Sequence, residues 1–258
     1  MPHVVLEDVN LYFQRTGLGR AVVLIHHLAG STRSWKYVYP VITDEYMTVT
    51  YDLRGHGLSS IPPHDYLIED HVDDLKNLLD YLQVSDPILI GHSIGSLIAM
   101  GYALRYPVRG LVLLGAIYKA PDPMNYMKYV SIVANFGMEA LAYYRRNMGE
   151  FSKLLTENPR AWNDLLEVYR MSNPRGYINT VMGLLKAKDY SELLSEIDTN
   201  TLVIYGSEDR LKQNKDIFLA GLRKADYHEI PGAGHFLNIE APEQLLETMK
   251  PFIDHVSR

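Results

Sequence analysis

Two hydrophobic rhythms run through the chain. Short apolar runs suit strands buried on both faces: Ala21 to His26, Ile88 to Ile90, Leu111 to Leu114 and Thr201 to Gly206. Met47 to Tyr51 and Tyr227 to Ile230 add two further strands. Between them lie segments with helical spacing. From Tyr66 to Leu82 the apolar positions Ile68, Val72, Leu75, Leu78, Leu79 and Leu82 share one face, with acids on the other. Ser31 or Thr32 is placed to cap a helix carrying Trp35, Val38 and Val41. Further helices are expected from the segment after Ser93 to about Tyr106, from Asn214 to Leu222, and from about Pro242 to His255. At the start, Val4 to Leu6 and Val9 to Gln14 read as strands joined at Glu7-Asp8, a link too short for a crossover, so the pair is antiparallel.

Alternating strands and helices predict an α/β fold: a mostly parallel eight-stranded sheet flanked by helices, with right-handed crossovers. The alternation stops at about Tyr118 and resumes at Thr201. The stretch between has no convincing strand and is punctuated by Gly137, Gly149, Pro159 and Pro174. Residues 118–190 are therefore expected to be a helical insertion, and residues 1–117 and 191–258 the α/β core.

Composition narrows the chemistry. A chain of 258 residues with 47% hydrophobic content can bury a large core. A net charge of −6 makes nucleic acid an unexpected partner. The absence of cysteine excludes disulfides, thiolate metal sites and cysteine nucleophiles. The start Met1-Pro2-His3-Val4 lacks a basic stretch followed by an apolar one, so no signal peptide is expected. No apolar run approaches the ~20 residues that span a bilayer, so no membrane association and a cytoplasmic location are expected. Four histidines, His26, His27, His56 and His92, have no metal-ligand spacing, so neither a metal nor another cofactor is expected.

The stretch from Ile88 to Met100 carries the strongest chemical signal. An apolar strand meets a helix at Gly91-His92-Ser93-Ile94-Gly95, a nucleophile-elbow pattern. Side chains at the two glycine positions would crowd the neighbouring strand and helix. The serine hydroxyl projects above the sheet edge, beside the positive end of the next helix. A serine needs a base within hydrogen-bond reach, and the base needs an orienting acid. In this arrangement acid and base follow the serine in chain order on loops leaving later strands. Asp209 follows the strand ending at Gly206, with Glu208 as the competing acid, and His235 follows the last strand. Oxyanion donors are expected from the backbone N–H of Ile94 and of Leu28, with His27 as second choice. We take His27, Trp35 and Tyr118 as candidate substrate-binding residues.

These stretches resemble the α/β-hydrolase superfamily, of the small esterase, enol-lactonase and C–C hydrolase type. The resemblance rests on Leu24-Ile25-His26 with Gly30-Ser31, Asp52-Leu53-Arg54-Gly55-His56-Gly57-Leu58-Ser59, the Gly91 to Gly95 elbow, Leu202 to Gly206 with Asp209, and Gly234-His235-Phe236 with Glu240-Ala241-Pro242-Glu243. It implies a Ser93-Asp209-His235 triad, a helical cap formed by the insertion, and a structural role for Arg54 and His56. The chain departs from the pattern at His27, where glycine is usual, and at Ser96. Serine rather than aspartate at the elbow argues against haloalkane dehalogenase and epoxide hydrolase chemistry. The resemblance implies a serine hydrolase acting on small-molecule carboxylic esters, with lactones as the nearest variant, and the apolar, aromatic insertion over Ser93 is expected to favour esters of short to medium chain. C–C bond hydrolysis, peracid formation and a slow-turnover ligand sensor would use the same triad. Six of the ten methionines and eight tyrosines fall within 118–190, an expected source of pocket lining.

Overall fold

The continuous apolar runs form the centre of one twisted sheet. The computed structural model describes residues 2–258. The strands are β1 (His3–Val5), β2 (Asn10–Thr16), β3 (Ala21–Ile25), β4 (Met47–Tyr51), β5 (Ile88–His92), β6 (Gly110–Leu114), β7 (Thr201–Gly206) and β8 (Ala225–Ile230). Their spatial order is β1-β2-β4-β3-β5-β6-β7-β8. β1 pairs with β2, and β2 with β4, in antiparallel fashion, whereas every other neighbour is parallel. The short Glu7-Asp8 link therefore makes a hairpin, and the longer links carry crossovers.

Because side chains alternate across a strand, each central strand feeds two cores. Val23, Ile25, Leu89, Leu111 and Leu113 point to one face. There they meet the helices α2 (Ile68–Tyr81), α3 (Ile94–Ala103) and α8 (Lys215–Gly221). Val22, Leu24, Ile90, Val112 and Leu114 point to the other face, against Trp35 and the C-terminal helix α10 (Pro242–Ser257). Burying one such aliphatic side chain contributes about 1.5–3 kcal/mol, so the paired cores, rather than helix propensity, hold the sheet. Helices α4 (Pro123–Asn147), α5 (Lys153–Glu157), α6 (Pro159–Met171) and α7 (Pro174–Leu184) lie between β6 and β7 in sequence. They share a third apolar cluster built on Leu141, Trp162, Leu165, Tyr169 and Val181. Phe236 and Ile239 join that cluster from the segment after β8, where α9 (Leu237–Glu240) is a single turn.

The segment after Ser31 is not the single helix its spacing suggests. Ser31 does act as the cap, accepting from Arg33 N–H at 3.3 Å, but only a tight turn over Thr32–Trp35 follows. A separate short helix, α1, covers Tyr39–Thr43 with Pro40 in its first turn. Pro40 brings no N–H and is tolerated in a helix's first turn, so α1 starts as a separate helix at Tyr39. The restart turns Val41 outward and buries Ile42 instead. The helix expected from Tyr66 begins at Ile68, where the Asp70 carboxylate accepts from Leu67 N–H at 2.8 Å.

The acidic face of α2 also contains an exception. Asp74 is buried and holds Arg54 through two bonds of 2.7 and 2.8 Å. The far side of the same guanidinium reaches Asp8 at 3.1 Å in the β1–β2 turn. The loop after β4 is thus tied to α2 and to the sheet edge. Asp52 anchors the loop's ends, accepting from Thr32 N–H at 2.6 Å and Leu58 N–H at 2.8 Å.

Five buried histidines, His26, His27, His56, His71 and His92, give this fold a pH dependence. Burial pushes each below the ordinary value of 6.5, His56 to about 4 and His27 to about 3. All five are neutral in the fold near pH 7, whereas the unfolded chain protonates them as pH falls through 6.5. Stability is therefore full above that value and declines below it, each histidine contributing up to about 1.4 kcal/mol per pH unit. Calorimetric Tm is expected to fall steeply from pH 7 to pH 5. A Tm that is flat across that range would contradict the burial of these neutral rings.

Candidate active site

Ser93 stands at the junction of β5 and α3 with φ 56° and ψ −117°. That backbone is costly for a side-chain-bearing residue, about 1–3 kcal/mol, and persists only where its surroundings hold it. Ser93 N–H donates to Leu114 O at 2.9 Å, and Ser96 donates to Ser93 O through its N–H at 2.8 Å and its hydroxyl at 2.5 Å. A Cβ on Gly91 would stand 2.3 Å from Gly95 O, and one on Gly95 would stand 2.5 Å from Ile25 O. The sharp strand-to-helix turn therefore requires both glycines. Ser96 occupies a position often taken by glycine, and its hydroxyl accepts from Ile117 N–H at 3.1 Å, bracing the turn from β6.

The loops after β7 and β8 meet beside this turn. His235 Nδ1 lies 2.9 Å from Asp209 Oδ2, with the Asp209 side chain 2% and the His235 side chain 17% exposed. Asp209 is itself fixed, its Oδ1 accepting from Leu211 N–H at 2.9 Å. A carboxylate on Nδ1 makes that nitrogen the donor and leaves Nε2 to face the cavity. Gly115, at φ 49°, lies under the pair, where a Cβ would approach the imidazole to 2.8 Å. Glu208 also lines the cavity, but its carboxylate meets Lys153 N–H at 3.4 Å rather than the histidine. Ser93 and His235 line one cavity of about 400 Å³, and the serine hydroxyl has no protein hydrogen bond among the described residues. Such contacts are often long in an unliganded enzyme and tighten on binding.

Leu28 lines the same cavity, and Ile94 opens α3. Neither backbone N–H has a protein acceptor among the described residues. His27 also reaches the cavity, but its ring is buried and occupied. Nδ1 donates to Leu28 O at 2.7 Å, Nε2 accepts from the Ser34 hydroxyl at 3.2 Å, and the ring packs edge-on against His92 and Phe236. The His27 side chain has no donor left for a substrate oxygen.

Two expected pocket residues lie elsewhere. Trp35 is fully buried in the core beneath the sheet, packed on His92, because the tight turn after Ser31 drives it inward. Tyr118 packs against Phe218 and the other core, and its carbonyl accepts from Tyr190 N–H at 2.8 Å. The methionines of 118–190 are also not the lining. Met124, Met127, Met148 and Met171 are exposed, and only Met148 of the six touches the cavity. Tyrosines take that place: Tyr126, Tyr129, Tyr144, Tyr169 and Tyr177. A second hollow of similar volume, between Tyr37, Arg160 and Gln244, contains neither Ser93 nor His235.

Glu240, noted in the sequence beside His235 but given no role there, turns out to hold the loop. It is buried, and its carboxylate accepts from Gly234 N–H at 3.0 Å and Phe236 N–H at 2.8 Å, on either side of His235. It also accepts from the hydroxyl of Ser152, the N-cap of α5. One carboxylate thus joins the histidine loop to the inserted helices. The sequence signal was its fixed spacing from His235, and only the folded loop gives that spacing a meaning.

The chain matches the α/β hydrolase fold family over residues 20–242. It belongs to that family. Among curated relatives, 3-oxoadipate enol-lactonase 2 of Acinetobacter baylyi is 25% identical over 242 residues, spanning 92% of this chain and 90% of that protein. Among solved structures, the enol-lactonase of Burkholderia xenovorans superposes with a TM-score of 0.91 at 22% identity, covering 98% of this chain and 100% of that one. A thermophilic esterase of Thermogutta terrifontis, solved with malate bound, gives 0.90 at 23% identity, covering 97% and 95%. Among the described residues no helix is long and apolar enough to cross a membrane, and no group of three or more His, Cys, Asp or Glu side chains is arranged to hold a metal ion.

Replacing Glu240 by glutamine sets an amide nitrogen against groups that are themselves donors. The lost bonds cost about 1–3 kcal/mol of stability, and His235 loses its fixed position. The expected result for purified Glu240→Gln is a kcat lowered by about 10- to 10²-fold with KM little changed. A kcat equal to wild type would show that the loop holds His235 without this clasp.

Proposed function

We propose that the protein is a serine hydrolase that cleaves carboxylic esters of short to medium chain, lactones included, through an acyl-enzyme. The observation that carries this reading is the 2.9 Å Asp209–His235 bond opening onto the cavity that also holds Ser93 in its strained turn. His235 Nε2 takes the hydroxyl proton as Ser93 Oγ attacks the ester carbonyl. The N–H groups of Leu28 and Ile94 receive the negative charge that develops on the carbonyl oxygen. Collapse of the tetrahedral intermediate expels the alcohol, which takes the proton from His235; in a lactone that alcohol stays on the acyl chain. Water, deprotonated by the same histidine, then releases the acid. Asp209 keeps the imidazole oriented and offsets its transient positive charge.

Residues 118–190 serve as the cap in this reading, because helices α4, α6 and α7 supply the tyrosine side of the cavity. A cavity of about 400 Å³ suits a small substrate. The enol-lactonase relative and the esterase neighbour support an ester or lactone as the bond cleaved.

Steady-state kinetics on a panel of p-nitrophenyl esters test the reading. Butyrate esters are expected to turn over faster than emulsified long-chain lipids, and the reverse order would remove the cap from its proposed role. Ser93→Ala is expected to lower kcat by about six decades and Asp209→Asn by about four, with both proteins folded. Retention of a tenth of wild-type activity by Ser93→Ala would overturn the assignment.

A further inference from the structure

The catalytic wall of the cavity accounts for Ser93, His235 and Asp209 but leaves the opposite wall without a role. Arg145, in the last turn of α4, enters the cavity there beside Tyr126, Tyr169 and Tyr177. Its guanidinium is held on several sides. The rings of Tyr129 and Phe151 lie 5.5 and 4.9 Å from it. Nε donates to Glu150 Oε2 at 2.8 Å, and Nη1 donates to the Tyr169 hydroxyl at 2.8 Å. The Tyr129 hydroxyl donates to the same Glu150 oxygen at 2.7 Å, so that carboxylate is committed to the Nε side. Nη2 has no protein acceptor among the described residues. The hydroxyls of Tyr126 and Tyr177 likewise have no protein partner among them.

This arrangement is a set of donors aimed at an absent acceptor. Burial raises the Tyr126 and Tyr177 phenols above their ordinary value, so both keep their protons and can donate. A neutral alkyl tail would leave the guanidinium edge and two hydroxyls unanswered. The open Nη2 is a charged donor suited to a carboxylate oxygen, and the two phenol hydroxyls can donate to the same group. The charged side chains along the cavity are Lys128, Arg145 and Arg210 against Asp122, Glu150, Glu208 and Asp209, so the anion preference rests on the open Nη2 and the two hydroxyls and not on net charge.

We propose that Arg145, with Tyr126 and Tyr177, binds a carboxylate carried by the substrate away from the bond that is cleaved. The preferred substrates are then esters or lactones that bear a free carboxylate, and the product acid is a dicarboxylate or its hydroxylated equivalent. The ester half of this statement rests on the hydrolase reading, whereas the carboxylate site does not.

Calorimetric binding to the intact protein separates the two. Linear dicarboxylates from succinate to pimelate are compared with monocarboxylates of equal length. At least one dicarboxylate is expected to bind about tenfold or more tightly than its monocarboxylate partner, as a charge-assisted contact implies. The advantage should vanish in Arg145→Met combined with Glu150→Gln, a pair chosen so that neither partner is left as an orphaned charge. Should that variant fail to fold, Tyr126→Phe with Tyr177→Phe keeps the cavity's shape and is expected to reduce the advantage. Equal affinities in the wild type, or an advantage untouched in the folded variants, would overturn the proposal. Turnover of p-nitrophenyl butyrate is measured alongside. Rapid turnover without dicarboxylate preference removes the carboxylate site alone, and dicarboxylate preference without turnover removes the hydrolase reading alone.

Discussion

A side-chain-bearing residue held at positive φ in the middle of the sheet is the constraint on which this structure depends. Ser93 adopts that conformation only because two glycines allow close approach, Gly91 to the backbone of Gly95 in α3 and Gly95 to the backbone of Ile25 in β3. The approach in turn requires flanking strands that do not yield. β3 and β6 are buried on both faces and bond to β5 along their length, so the strain at one residue is met by two cores. The same strand ends fix the partners, since β7 and β8 lie in parallel register beyond β6 and deliver Asp209 and His235 to the same edge.

Around this turn the protein buries polar groups and satisfies them locally. His26 Nε2 accepts from Leu53 N–H at 3.0 Å, and His92 Nε2 donates to His235 O at 2.8 Å. Burial keeps both rings neutral, so they serve as fixed hydrogen-bonding struts rather than charges. Glu240 does the equivalent work for the histidine loop and carries it across to α5. Ser93, Asp209 and His235 are therefore positioned by side chains outside that group, each of which must stay dry to keep its geometry.

The sheet was legible in the sequence because apolar runs and short links speak of local structure. The elbow, Asp209 and His235 were legible as positions because each follows a strand end, and the structure brings the Asp209 carboxylate and the His235 ring into contact. Other features depend on the fold. A tight turn over Thr32–Trp35 and a separate helix from Tyr39 replace the one helix that spacing alone would have continued, and Trp35 lies in the core. Tyr118 and Tyr126 look alike in sequence, yet one packs on Phe218 and the other faces the cavity. Four of the six methionines of the insertion turned outward, where composition gave no direction. Arg145 and Glu150 are five residues apart and would read as a surface pair on a helix end. Their meaning comes from Tyr129 earlier in α4, Phe151 beside Glu150, and Tyr169 of α6, which the fold gathers around the guanidinium.

The central claim is that Ser93 is a nucleophile activated by His235 and not merely a strained turn residue. Intact-protein mass spectrometry after exposure to a fluorophosphonate probe tests it most directly. Wild-type protein should gain one covalent adduct, mapped by peptide fragmentation to Ser93, and His235→Ala should react far more slowly. No adduct on folded wild-type protein, or an adduct on another residue that forms equally in His235→Ala, would contradict the account.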